Sequence, residues 1–330
     1  MNQPLIKYCP GTLAAGHQTY SSTCLRRLFA GRKVHHVLPY DSPIAGGSDS
    51  DKFRENLTRV SISGVQEKFS LLLEKNRLRL VGRGEQGRYI LKPVPSGVKH
   101  AGQMPANEHL TMQIARQVYG IETAENALIF FGNGEPAYIT LRFDVRDDGT
   151  KRAEEDFASL AGRTPHTHGD WFKYTGSYLE LFELMRTYLP AWRIESPKLF
   201  RLLIFNYLFS NGDAHFKNFS VLETEFGDFR LAPAYDLLNS RLHINDTDFA
   251  LDDGLLPGKD RKPGMSIRGQ FMLLGEKASI STRLITSVYN AMLTRTDMVT
   301  SMTNASFLSD DFKRHYLESY HSRLNTLSAP

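Results

Sequence analysis

The chain has 330 residues, 41% of them apolar and 23% charged, and 40 Lys and Arg against 36 Asp and Glu give a formal charge of +4. That length allows a large core or about two domains, and the mild positive balance is no argument for nucleic acid by itself. No early apolar stretch resembles a signal peptide and no run approaches the roughly 18 residues that span a bilayer, while two cysteines, Cys9 and Cys24, exclude a disulfide framework, so a reducing cytoplasm is the expected compartment.

Residues 1–58 read as a small knuckle and a linker, with a basic patch (Arg32, Lys33, His35, His36) ahead of a Pro/Gly/Ser/Asp-rich stretch. Cys9 and Cys24, with His17, His35 and His36 nearby, raise the idea of a zinc knuckle. Thr12 stands where the second cysteine of a Cys-x-x-Cys pair belongs, so structural zinc is not expected. From Phe69, FSLLLEK and RLRLV read as strands joined by a tight polar turn. GRGEQG (residues 82–87) matches G-x-G-x-x-G, but no helix follows and Lys92 arrives five residues later on the next strand. It reads as a plain hairpin turn.

PANEHLTMQIARQVYG then predicts a helix, with Pro105 in its first turn, Leu110, Ile114 and Val118 on one face, and Gly120 at its end. NALIFF and PAYITLRFD, split by Gly-Asn-Gly, give two more strands. After Asp144 the chain turns helical. SPKLFRLLIFNYLF predicts a buried helix capped by Ser196 with Pro197 at its first position, and FSVLE and FRLAP predict a short hairpin. Further helices are expected near 281–294 and 309–326.

The long helix delivers NGDAHFKN (residues 211–218). Asp213, Asn218 five later, and Asp236 beyond the hairpin have the layout of phosphoryl transfer: a base for the attacking hydroxyl, then an amide and a carboxylate to hold Mg²⁺ against nucleotide phosphates. His215 suits a structural histidine or nucleotide contact, and Lys217 a phosphoryl-neutralising or simply solvated charge. Lys92 on its strand could reach the phosphates, with Glu108 at the following helix as its ion-pair partner.

With SISGVQEK (residues 61–68), YILKP, the NEH helix start, LRFD, EDFASLAG (155–162), DAHFKNFS and PAYDL, the chain resembles the HipA-type Ser/Thr kinases, toxin kinases of bacterial toxin–antitoxin operons. It is most similar to HipT, the short kinase of three-gene HipBST systems, to which the two serines of SISG and QFMLLGE (270–276) correspond. The resemblance implies an α+β, two-lobed, protein-kinase-like fold: the knuckle and linker (1–58), a small β-rich N-lobe (59–144) and a mainly helical C-lobe (145–330).

It also implies roles. Ser63, Gly64, Gln66 and Lys68 would form the loop over the phosphates, Lys92 would contact ATP, and Leu141 to Phe143 would be the adenine hinge. Asp213 would be the general base. His215, Lys217, Asn218, Tyr235 and Asp236 would line the nucleotide site, with Asn218 and Asp236 binding Mg²⁺. Ser61 and Ser63 would be autophosphorylated, and the added negative charge would repel ATP or eject the loop. The implied target is an aminoacyl-tRNA synthetase, tryptophanyl in the HipT branch. The implied partners are a HipS-like small antitoxin and a HipB-like helix-turn-helix DNA-binding protein. Two other readings fit the same motif: a small-molecule phosphotransferase of the aminoglycoside or choline type, and an ATP-binding pseudokinase subunit of a repressor complex.

Overall fold

A computed structural model describes residues 6–43, 67–261 and 263–329. Ser61, Ser63, Gly64 and Gln66 lie outside them. The chain divides into two compact units, one drawn from residues 1–113, 124–150 and 301–314, the other from 114–123, 151–300 and 315–330. The fold class is α+β, as expected, with sheet in the N-terminal part and mainly helices in the C-terminal part.

In the first unit, helix α1 (Ser22–Phe29) begins where Ser21 Oγ accepts the Cys24 N–H and stops at Ala30, whose φ of 50° is left-handed. Its buried face, Cys24, Leu28 and Phe29, packs with Phe69, Leu71, Tyr89 and Leu91 of the sheet in one apolar cluster. That sheet is antiparallel, in the order β2-β1-β3-β5-β4, from β1 (Phe69–Glu74), β2 (Arg77–Leu80), β3 (Tyr89–Lys92), β4 (Asn126–Phe130) and β5 (Pro136–Leu141). Helix α2 (Met104–Gln117) follows β3, with Pro105 in its first turn, where a missing N–H costs nothing.

GRGEQG is not a hairpin turn. β3 pairs with β1, not β2, so residues 81–88 cross from one side of β1 to the other. The Val81 N–H donates to Ser70 O and the Arg88 N–H to Leu71 O, two adjacent residues whose backbone groups face opposite ways. The crossing needs Gly87, because a Cβ there would meet Ser70 Oγ at 1.9 Å. Glu85 ties the loop down through Arg79 and the Gly82 N–H.

The N-terminal residues bond to β4. The Leu128 N–H donates to Pro10 O, the Phe130 N–H to His36 O, and the Leu38 N–H to Phe130 O. Around Cys9, the four positions of a Cys-x-x-Cys pair of pairs are Cys9, Thr12, Ser21 and Cys24. They are already in contact: Ser21 N–H donates to Cys9 Sγ (3.1 Å), Cys9 Sγ lies 3.3 Å from Ser21 Oγ, and Thr12 Oγ1 3.3 Å from Ser21 Oγ. The Cys24 thiol, chief among these donors, pulls the Cys9 thiol below its ordinary range, and the same pairing pushes Cys24 up.

The second unit opens with β6 (Glu154–Asp156), which joins β7 (Ser220–Glu223) and β8 (Phe229–Leu231) in an antiparallel sheet of order β6-β7-β8. Only the hairpin β7–β8 was expected. Three acidic residues show no apolar alternation, so β6 is invisible without its partner. Short helices α3 (Phe157–Leu160) and α4 (Pro165–His168) follow, then α5 (Tyr178–Tyr188) and α6 (Trp192–Leu208).

Helix α6 starts four residues before the expected cap. Ser196 and Pro197 lie inside it, and the Ser196 hydroxyl donates back to Trp192 O. Pro197 lies inside the helix, past the first turn, where it cannot donate to the Arg193 carbonyl. From Leu199 to Leu208 the helix is almost wholly buried, as its sequence demands. The C-terminal part is completed by α7 (Ile267–Lys277), α8 (Thr282–Leu293), α9 (Thr296–Ala305) and α10 (Asp310–Ser328). QFMLLGE lies in α7, where a Cβ on Gly275 would meet Ile285 at 2.7 Å, so that glycine lets α8 come close. Among the described residues no helix is long and apolar enough to cross a membrane.

Candidate active site

The Asp213 loop is built by the end of α6. Ser210 turns the chain with a φ of 52°, and the Asn211 N–H donates to Asn206 O. Gly212 is there for room rather than for a left-handed turn. Its Cβ would meet Asp246 Cγ and Thr247 O, both at 2.5 Å. The Gly212 N–H donates to Ser240 Oγ, whose hydroxyl in turn donates to Asp246 Oδ2.

A one-turn helix, Phe216–Asn218, closes the loop. Asn218 Oδ1 accepts the His215 N–H (3.1 Å), which fixes the amide on the loop's inner side. The hairpin then returns Asp236 to the same place. Asn211 Nδ2 donates to Asp236 O (3.5 Å) and the Tyr235 hydroxyl donates to Lys217 O (3.0 Å). Asp236 has a φ of 55°, a conformation that Asp tolerates better than most side chains and that is characteristic of functional loops. Asp213, Asn218, Tyr235 and Asp236 therefore form one constellation.

Asp213 is mostly buried. Burial raises its carboxyl above the ordinary range, with Asp246 and Asp236 adding to the rise, while the hydrogen bond from Tyr174 and the Lys173 ammonium oppose it. A raised carboxylate is a better proton acceptor at neutral pH than an exposed one. His215 is held neutral: burial, helped by Lys173, lowers it to about 3. Its Nδ1 is buried without a hydrogen-bond partner among the described residues. The Asn211 Oδ1 is likewise buried without a partner.

Lys217 is partly buried and paired. Its Nζ lies 3.0 Å from Asp156 Oδ2, and Asp156 Oδ1 caps α3 by accepting the Ser159 N–H. This explains the acidic start of EDFASLAG, which composition alone left without a task.

In the first unit, Lys92 Nζ lies 2.6 Å from Glu108 Oε1, with both side chains nearly excluded from water, and 5.3 Å from the centre of the Tyr138 ring. The strand-borne lysine and helix-borne glutamate match the ion pair that holds the phosphate-binding lysine of protein kinases. Leu141 ends β5, where its N–H donates to Glu125 O. The next residue, Arg142, pairs with Asp144, and Phe143 lies between them. Lys68 immediately precedes β1.

Asn218 and Asp236 offer one amide oxygen and one carboxylate. That hard-oxygen set suits Mg²⁺, which takes the rest of its shell from phosphates and water. Sequence reasoning missed Tyr174 and Asp246, both beside Asp213. Tyr174 lies 39 residues earlier, in DWFKYTG, which carries no motif, and Asp246 sits in an irregular loop.

The sequence pattern of the HipA-like C-terminal domain matches residues 60–300. A Haemophilus influenzae protein named "Putative kinase" is 27% identical over 289 residues, 82% of each chain. "Putative kinase Y4dM" of Sinorhizobium fredii is 30% identical over 246 residues, 70% of this chain but 57% of its own length. Among solved structures, HipA of the Shewanella oneidensis toxin–antitoxin system, determined with HipB and operator DNA, superposes with a TM-score of 0.61 at 20% identity, over 81% of this chain and 65% of that one. The Helicobacter pylori proinflammatory kinase CtkA gives 0.52 at 13% identity, over 78% and 92%. These two likenesses concern the fold.

Proposed function

Because the chain belongs to the HipA-like C-terminal domain family, we propose that it is an ATP- and Mg²⁺-dependent Ser/Thr protein kinase and the toxin of a toxin–antitoxin system. The observation that carries this reading is the single constellation of Asp213, Asn218 and Asp236, with the hairpin pinned back onto the loop through Asn211 and Tyr235. The buried Lys92–Glu108 pair supports it independently.

In this mechanism Asp213 accepts the proton of the acceptor hydroxyl as that oxygen attacks the γ-phosphorus. Lys92, held by Glu108, meets the phosphates, and His215, kept neutral, lines the nucleotide side without adding charge. Asn218 and Asp236 would hold Mg²⁺, which supplies charge neutralisation on the transferring group. Lys217, engaged by Asp156, serves the loop's shape rather than the phosphoryl group. Leu141 to Phe143 would flank the adenine, and Ser63, Gly64, Gln66 and Lys68 would cover the phosphates. The kinase lobes are assigned to 59–144 and 145–330, with 1–58 as the knuckle and linker.

The finer reading is the HipT branch: an aminoacyl-tRNA synthetase as target, tryptophanyl by analogy, autophosphorylation on Ser61 and Ser63, and neutralisation by a HipS-like protein with a HipB-like DNA-binding partner. The Shewanella HipA structure with HipB and DNA supports a partner of that second kind. The test is Asp213→Gln. It is expected to fold and bind ATP but to transfer no labelled phosphate, and retained transfer would overturn the assignment.

A further inference from the structure

Tyr174 donates its phenolic hydrogen to Asp213 Oδ1 at 2.9 Å. Among the described residues it is the one side chain hydrogen-bonded to that carboxylate. This is the bond a general base must make with the hydroxyl it deprotonates. We propose that Tyr174 occupies, on Asp213, the seat of the acceptor hydroxyl, and that a protein acceptor must displace the phenol before phosphoryl transfer. The proposal rests on Asp213 being the base, and it names what selects the acceptor at that site.

The surroundings are built for this contact. The segment carrying Tyr174 is stitched to the catalytic loop, where the Phe216 N–H donates to Lys173 O. It is stitched equally to the loop after Phe249, where the Asp252 N–H donates to Tyr174 O, the Gly176 N–H to Asp252 Oδ1, and the Asp253 N–H to Gly176 O. The Tyr174 ring meets the His215 ring edge-on at 5.1 Å and has Lys173 Nζ 5.0 Å from its centre. Three residues before it, Trp171 is 73% exposed, and its ring centre lies 5.5 Å from that of Tyr174. An exposed indole touching the phenol gives a docking protein the means to shift it.

A phenol is a poor surrogate nucleophile here. Burial and the Asp213 carboxylate hold its proton more tightly than usual, so it guards the base without being consumed. With no protein bound, the phenol also denies Asp213 to water. In the productive step the acceptor oxygen forms a bond to the γ-phosphorus, the bond from that phosphorus to ADP breaks, and the acceptor proton passes to Asp213. While the phenol holds Oδ1, the acceptor hydroxyl must compete with it for that oxygen.

The experiment compares the wild-type chain, Tyr174→Phe and Asp213→Gln. ADP release from Mg·ATP is measured without acceptor, and phosphate transfer to myelin basic protein as the probe. Tyr174→Phe removes one oxygen and keeps the ring contacts with Trp171 and His215, so its thermal midpoint should stay near that of wild type. Acceptor-independent ADP release should rise about tenfold, the worth of one buried hydrogen bond. The half-saturating concentration of myelin basic protein should fall. The acid limb of the ADP-release profile should also move to higher pH, because a donor that stabilises the ionised carboxylate is gone; the faster acceptor-independent release is the readout that a purely structural role would not produce. If Asp213→Gln is silent but Tyr174→Phe releases ADP no faster than wild type, Tyr174 is a prop, the proposal fails and the kinase reading stands. If Asp213→Gln hydrolyses ATP like wild type, Asp213 is not the base and both fall.

Discussion

Lys92 and Glu108 form an ion pair at 2.6 Å with their side chains 5% and 6% exposed. A pair this dry is costly to break from one side. Glu108→Gln should lower the stability of the first unit by about 3–5 kcal/mol, since it removes the carboxylate that neutralises a buried ammonium. The double variant Lys92→Met/Glu108→Leu should recover most of that loss in urea denaturation, yet bind no ATP. Nucleotide affinity equal to wild type in the double variant would remove Lys92 from the phosphate site.

Acid should unfold the first unit early. His109 is fully buried, and burial lowers it to about 4, while its Nε2 lies 3.3 Å from Gly11 O. His36 is likewise lowered to about 4 by burial and by His35. A buried neutral histidine binds fewer protons than the same residue unfolded, so stability is full above pH 6.5 and falls as pH drops towards 4. His109 alone would cost about 3 kcal/mol across that window. His109→Gln, which can still donate to Gly11 O, should flatten the slope when unfolding is followed by tyrosine fluorescence between pH 7 and 4.

Gly212→Ala should be far worse than a surface glycine change. The added methyl would meet Thr247 O at 2.5 Å, and backbone cannot swing aside as a side-chain tip can. We expect a loss of about 1–3 kcal/mol together with most phosphate transfer, because the displaced loop carries Asp213. A control at Gly134, where a Cβ meets nothing within 4 Å, should lose only the modest strain of its left-handed backbone.

Thr12→Cys/Ser21→Cys should turn the N-terminal cluster into a metal site. The four side chains already converge, and four cysteine thiolates with this spacing are a tetrahedral zinc set. One equivalent of zinc in the double variant, and none in wild type, is the expected result of metal analysis on purified protein.

The legibility of this chain follows from where its signals are local. Leu110, Ile114 and Val118 announce α2, and the run from Leu199 to Leu208 announces a helix with no wet face, because burial pattern is written in adjacent residues. Asp213, Asn218 and Asp236 were legible for the same reason, since one loop and one hairpin span them. The start of α6 was misjudged because Ser-Pro is a strong entry signal, while the turn from Trp192 to Glu195 that precedes it has none. GRGEQG misled because pairing partners are decided across the sheet, and the sequence around residues 82–87 holds no mark of which side of β1 the next strand will take. Tyr174 was out of reach, since nothing in its segment predicts contact with a residue 39 positions later.

The bonds from Pro10, His36 and Leu38 to β4 bear on how this protein behaves in the test tube. They blunt what would otherwise be an open strand, the usual template for unwanted self-association. A truncation that removes residues 1–43 would leave the Asp213 loop's own residues intact but unmask that strand, and such a protein should elute as oligomers or precipitate. Trimming the N-terminus to obtain a minimal kinase is therefore the wrong economy.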